Sequence, residues 1–326
     1  MSTAASTAER YARFAEEARG ESPTYEAWAL GVASDPELLA LIDSLPAGRR
    51  QPYLVFAVSR LLGAPLGGYS RWREFALANW PAVHTEALVR LTQTNEPLRC
   101  AALLPALALI PGPLALLEVG ASAGLCLFPD RYSYRYDGGD WLHPHDGPSP
   151  VLLECTTSGG TPVPTALPEV VWRAGIDLAP LDVRVDADAR WLETLIWPEQ
   201  HDRLARVRAA AAIARAHPPL LVAGDAADAV AGLAEQAPAG ATLVVISSGV
   251  LVYMARPRRE LFLAELGRLD ARWVGLEAAG LFPGVVESIG EKTGGVPDDL
   301  TARFALSLDG EALAFVQPHG RRVDWL

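Results

Sequence analysis

The sequence predicts an α/β protein in which a helical N-terminal domain precedes a mostly parallel sheet of seven strands. Three observations predict it. The first 110 residues carry apolar positions at helical spacing and show no period-two alternation. Beyond Pro113, short apolar runs alternate with Gly/Asp turns and Ala-rich helical segments, the texture of a parallel sheet with crossover helices. Near the C-terminus two apolar runs flank Asp309-Gly310, which predicts an antiparallel hairpin. The expected organisation is a helical cap or lid over 1–110 and a sheet domain over 111–326, interrupted by an insertion over 137–180.

Taken in order, Ala8–Arg19 is a charged amphipathic helix, and Ser22–Val32 follows with Tyr25, Trp28 and Ala29 at helical spacing. Asp35-Pro36-Glu37 opens the next helix, with Asp35 as N-cap and Pro36 at the first helical position. Further helices are expected over Pro52–Leu62, Arg71–Asn79, His84–Thr92 and Leu98–Ile110. The strands are expected at Ala115–Val119, Tyr132–Tyr136, Leu220–Ala223, Thr242–Ser247 and Trp273–Glu277, closed by the hairpin Thr301–Leu308 and Ala312–Gln317. Helices fall at Gly124–Phe128, Trp191–His217 with a break at Pro198, Ala227–Glu235 and Arg258–Leu269. Two more apolar runs, Val151–Cys155 and Val170–Arg173, sit inside the insertion with no assigned place.

Composition narrows the function classes. Half of the 326 residues are hydrophobic, enough for a large core, which excludes disordered, collagen-like and disulfide-scaffold chains. A formal net charge of −11 argues against wrapping nucleic acid through its phosphates. Cys100, Cys126 and Cys155 are odd in number, widely spaced and form no CxxC pair, which fits a reducing, cytoplasmic setting. The polar stretch Met1–Arg19 lacks the apolar core of a signal peptide. The uncharged run Cys100–Leu117 is broken by Pro105 and Pro111-Gly112-Pro113, so it reads as core and not as a membrane span. His143-Pro144-His145-Asp146 reads as a solvated loop, and no metal site is expected.

The informative segment is Glu118-Val119-Gly120-Ala121-Ser122-Ala123-Gly124, a buried strand ending in an acid and a small-residue turn. Such a turn lets a ligand approach the backbone, and amides at a helix start can receive an anion. A dinucleotide fingerprint is incomplete, because Ser122 and Leu125 stand where glycines are needed. A nucleophile elbow is satisfied as Gly120-x-Ser122-x-Gly124, with Asp225 and His319 following in triad order, but the preceding helices replace the strands that such hydrolases need. The third reading places Glu118, Asp137 and Asp225 at three successive strand ends, where S-adenosylmethionine is held. A carboxylate there accepts two hydrogen bonds from a vicinal diol, and another acceptor reads an exocyclic amine.

The chain resembles an uncharacterised bacterial family, common in actinobacteria, whose members look like class I S-adenosylmethionine-dependent methyltransferases. The resemblance rests on Thr92-Gln93-Thr94-Asn95-Glu96, Glu118–Leu127 with Asp130-Arg131-Tyr132, Gly175–Asp182, Trp191-Leu192 with Trp197-Pro198, Gly224-Asp225-Ala226 and Val250-Leu251-Val252-Tyr253. It departs at Cys126, where asparagine is expected, and at Ser247, where histidine is expected. The resemblance implies a Rossmann-like sheet and S-adenosylmethionine as cofactor. The expected cofactor-binding residues are Asn95, Arg99, Glu118, Gly120, Ala121, Ser122, Gly124, Asp137, Asp177, Asp225, Ala226, Ser247 and Ser248. Tyr253 and Glu277, just past strand ends, are the acid/base candidates. The expectation is a methyltransferase acting on a small molecule, without nucleic-acid or membrane partners and with its oligomeric state open. The alternatives are a non-catalytic binder of S-adenosylmethionine or S-adenosylhomocysteine, and a serine hydrolase using Ser122.

Overall fold

The computed structural model describes residues 6–326. In chain order the first helices are α1 (Thr7–Ala18), α2 (Pro23–Ala33), α3 (Pro36–Asp43), α4 (Pro52–Leu61), α5 (Tyr69–Val89) and α6 (Arg99–Leu107). Then come β1 (Leu114–Val119), β2 (Ser133–Tyr136), β3 (Leu152–Ser158), β4 (Val170–Asp177), α7 (Asp186–Thr194) and α8 (His201–Ala216). The chain continues through β5 (Leu220–Ala223), α9 (Ala226–Ala234), β6 (Thr242–Ser248), α10 (Arg256–Leu266) and β7 (Ala271–Ala278). It closes with α11 (Pro283–Thr293), β8 (Phe304–Leu308), β9 (Glu311–Val316) and β10 (Arg322–Trp325). Among the described residues no helix is long and apolar enough to cross a membrane.

The chain divides into two units. The first holds the residues up to Thr94 together with Arg184–Ala205. Its core is aromatic: Phe56 meets Tyr11, Tyr25, Trp28 and Trp72 with ring centroids 5.1–5.7 Å apart, inside the range where aromatic pairs add to simple burial. Trp197 joins this cluster against Phe14 and Tyr25, and Arg60 donates to the carbonyls of Thr194 and Ile196, so the later segment is tied to the helices. Asp35 caps α3 through the amides of Glu37 and Leu38, as its sequence predicts. The two helices expected on either side of Pro81 are one, α5. The proline removes a single backbone donor, and the face Trp72, Ala76, Trp80, Val83 and Ala87 is buried across it.

The second unit, Asn95–Val183 with Arg206–Leu326, carries one ten-stranded sheet in the order β2-β3-β10-β9-β8-β7-β6-β1-β4-β5. The sequence predicts seven strands. The three others are β3 and β4, from the stretch read as an insertion, and β10. Strands β5, β4, β1, β6 and β7 are mutually parallel, and β8 and β9 form the expected hairpin, with Asp309 and Gly310 both at positive φ. From β1 the chain builds outward through β4 to β5, then returns to the other side of β1 with β6 and β7. That reversal makes β1/β6 the topological switch point, whose carboxyl end is where open α/β sheets bind ligands. One sheet face is covered by α9 and α10, with Phe262 of α10 in one core cluster with Leu117, Val119 and Val245, while α6 packs beside β3, β7 and β8.

Candidate functional site

The carboxyl ends of β1, β4, β6 and β7 bring Glu118, the Gly120–Gly124 turn, Asp177, Ser247, Ser248 and Glu277 together, with Asn95 and Arg99 supplied by the turn into α6. The glycine turn folds as it does because Gly120, Ser122 and Gly124 adopt φ of 72°, 50° and 69°. A Cβ on Gly120 would stand 2.4 Å from Val250 Cγ2, so only glycine fits. The expected helix after the turn is a pair of short 3-10 turns at Leu125–Leu127 and Pro129–Arg131. The amides of the turn are also spent within the chain. Gly120 and Ala121 donate to the Ile176 carbonyl, Ser122 to Asp177 at 2.8 Å, Ala123 to Asn95 at 3.1 Å, and Gly124 to Ala121. The turn is therefore closely approached, by Val250 in this structure, and offers no array of free donors.

Asn95 clamps this turn from outside. Its amide nitrogen donates to the Ser122 hydroxyl at 2.6 Å while its oxygen takes the Ala123 amide. An amide takes no proton, so this bond gives the nucleophile-elbow reading no support. Next to it, Glu96 is 2% exposed and pairs with Arg206 through bonds of 2.8 and 3.1 Å, with the Leu98 amide as a third donor. Arg99 is buried, donating to the carbonyls of Ser248 at 2.8 Å and Pro318 at 3.1 Å.

Glu118 is 5% exposed, and its Oε2 has no hydrogen-bond partner. Burial pushes its carboxyl well above the usual range, with Cys126 adding to the shift and the Arg99 guanidinium opposing it. The Ser248 hydroxyl is a second buried atom without a partner. In the β1/β6 register Val119 faces Ser247, so Glu118 and Ser248 project to the same side of neighbouring strands. Two unpaired buried polar groups are costly in a dry interior, and a ligand with matching donors removes that cost.

Asp177 ends β4, the strand beside β1, and its two oxygens accept from Ser122 N and Ala179 N at 2.8 and 2.9 Å. Glu277 ends β7, where burial pushes its carboxyl up to about 7 against the pull of the Val250 and Leu251 amides, the Ser247 hydroxyl and Arg99. The Ser247 hydroxyl also accepts from the Trp273 indole at 3.1 Å.

Other expected residues stand apart from this group. Asp137 follows β2, an edge strand that lies seven strand positions from β1. There it holds the Thr157 amide at 2.7 Å and the Thr157 hydroxyl. The acid that ends β1's neighbour is Asp177. Asp225, past β5, caps α9 through Ala227 N, and Ala226 opens that helix. An ion pair with Arg258 at 2.9 Å, together with the Ala227 amide, holds the Asp225 carboxyl below the usual range. Tyr253 is 85% exposed on the turn after β6. His143 bonds the Ser133 hydroxyl at 2.8 Å.

The sequence reading missed Glu96–Arg206, the Arg258 partner of Asp225 and the Trp273–Ser247 bond. The pairs lie 110, 33 and 26 positions apart, and no local pattern links them.

A family model described as "Uncharacterized protein conserved in bacteria (DUF2332)" matches residues 67–325. No curated protein and no solved structure matches the chain.

Proposed function

We propose that this chain, which belongs to that bacterial family, is an S-adenosylmethionine-dependent methyltransferase acting on a small molecule. In this reading β5-β4-β1-β6-β7 is the Rossmann-like part of the sheet. The observation that carries the reading is the unpaired Oε2 of Glu118, buried at the end of β1 beside a turn shaped for close approach. The residues fit such a cofactor in kind. A buried carboxylate oxygen suits a ligand ammonium, and Asp177, at the end of the strand beside β1, is an acceptor of the kind that ribose hydroxyls need.

When bound, the cofactor supplies an electrophilic methyl group on sulfonium. The chain's part is alignment. Glu118 and Ser248 hold the amino-acid end, with the Arg99 guanidinium nearby as the positive charge for a carboxylate. Asn95 keeps the Gly120–Gly124 turn in the shape that admits the ligand. Ala226 and Asp225 close the side next to β5, Asp225 through its cap and ion pair. Glu277, half-ionised near neutral pH, receives a proton from an acceptor hydroxyl or amine, and Tyr253 stands at the rim.

The test is calorimetric titration of ligand-free protein with S-adenosylmethionine and S-adenosylhomocysteine. Micromolar binding is expected. Glu118→Gln and Asp177→Ala should each weaken it about 10- to 100-fold, the worth of one charge-assisted hydrogen bond. Asp137→Ala should leave it unchanged. Absence of binding to the unaltered protein overturns the reading.

A further inference from the structure

The loop that leaves β6 turns at Gly249, with φ of 63° and its amide on the Leu276 carbonyl at 2.8 Å. The next two amides both reach Glu277. Val250 N donates to Oε1 at 3.2 Å, and Leu251 N is shared between Oε1 and Oε2 at 3.3 Å each. These bonds are longer than the about 2.7–2.9 Å of a strong charge-assisted pair, and the hold is shared among the three contacts. Beyond them Leu251 is buried, while Val252 and Tyr253 are exposed. The Val250 side chain fills the space beside Gly120, with Cγ2 2.4 Å and Cβ 2.7 Å from where a Cβ on Gly120 would lie. One carboxylate thus fastens the segment that presses on the glycine turn.

We propose that Glu277 is a proton-operated latch on the loop Gly249–Met254, holding Val250 against the Gly120 turn when ionised and releasing it when protonated. Groups from three segments set the latch. From α6, Arg99 favours the ionised form, as do the Ser247 hydroxyl on β6 and the two loop amides. On β8 its register partner is Ala305, which brings no charge. Burial opposes them all and carries the carboxyl to about 7, so the latch works across neutral pH. Release withdraws Val250 from the Gly120 backbone and opens the approach to the turn. The latch stands on the loop's own contacts, whereas its effect on ligand entry rests on the cofactor site proposed above.

Hydrogen exchange of the segment 249–254, followed by mass spectrometry on the full chain at pH 6 and pH 8 and corrected for intrinsic rates, tests it without any ligand. Protection at Val250 and Leu251 is expected to fall about tenfold from pH 8 to pH 6, with a midpoint near 7. Glu277→Gln, neutral at both pH values and close in shape, should show equal protection at the two. Protection independent of pH in the unaltered protein overturns the latch, and so does a pH dependence that persists in Glu277→Gln. Should that variant fail to fold, a midpoint away from 7 in the unaltered protein is the overturning result. Because no ligand is present, failure of the cofactor reading leaves this outcome intact.

Discussion

Glu96→Ala separates charge from packing at the turn that clamps the site. The Glu96 carboxylate receives two bonds from Arg206, whose side chain is 12% exposed, and one from the Leu98 amide at 3.0 Å. Removing it leaves a guanidinium in a dry setting without this counter-charge, a loss of about 3–5 kcal/mol when one partner of a buried pair is deleted. The stranded Leu98 amide adds about 1 kcal/mol. At roughly 2–4 °C per kcal/mol for a chain of this size, the melting temperature should fall by about 10 °C or more. Glu96→Leu combined with Arg206→Met removes both charges and should recover most of the loss, leaving about 1 kcal/mol or less. The assay is urea unfolding followed by circular dichroism for Glu96→Ala, for the single variants Glu96→Leu and Arg206→Met, and for the double. Asn95 sits next in the chain, so ligand affinity should fall with the single variants and return with the double. A single variant within about 1 kcal/mol of the parent, or a double variant whose cost equals the sum of the singles, would refute the buried-pair reasoning.

Two further predictions use the same physics. Gly120→Ala meets both a positive φ and the Val250 side chain and should cost about 2–4 kcal/mol, whereas Gly138→Ala, also at φ of 72° but in open space, should cost only the backbone part of about 1–2 kcal/mol. Thermal unfolding of the pair decides; equal losses would mean that the Val250 contact carries no energy. For Glu277, the folded carboxyl lies at about 7 against an ordinary 4.5, so the folded state holds the proton through that window. Stability should therefore fall by about 3 kcal/mol as pH rises from 4.5 to 7 and level off above. Glu277→Gln should remove that slope, and stability curves of identical slope between pH 5 and 8 would contradict the assignment.

How much the sequence discloses depends on whether the determining contact is local. The α3 start is legible because Asp35 meets the amides of residues two and three positions on, and the β8–β9 hairpin because Asp309-Gly310 carries its own turn geometry. Strand β1 and its small-residue turn are legible for the same reason. The place of β4 is not. Asp137 and Asp177 both follow a short apolar run, and the spacing of Asp137 from Glu118 suits a neighbouring strand. Only the pairing of Leu114–Val119 with β4, decided by packing across the sheet, shows which acid lies beside Glu118. Pro- and Thr-rich flanks disguise β4, and β10 is too short at four residues for its alternation to stand out. The partner of Asp225 is hidden for the same reason, since Arg258 engages it from another helix 33 positions on.

The position of β10 governs how this sheet is assembled during synthesis. Strands β2 and β3 reach the rest of the sheet only through β10, which pairs in parallel with β3 on one side and antiparallel with β9 on the other. Ser158 and Asp324, bonded across that seam, are 166 positions apart. At ribosomal speeds of roughly 5–20 residues per second, the β2–β3 ribbon waits about 10–30 s with its inner edge unpaired. During that interval the edge is open to pairing with neighbouring nascent chains, so β10, made long after the β2–β3 ribbon, is the strand that protects it from aggregation.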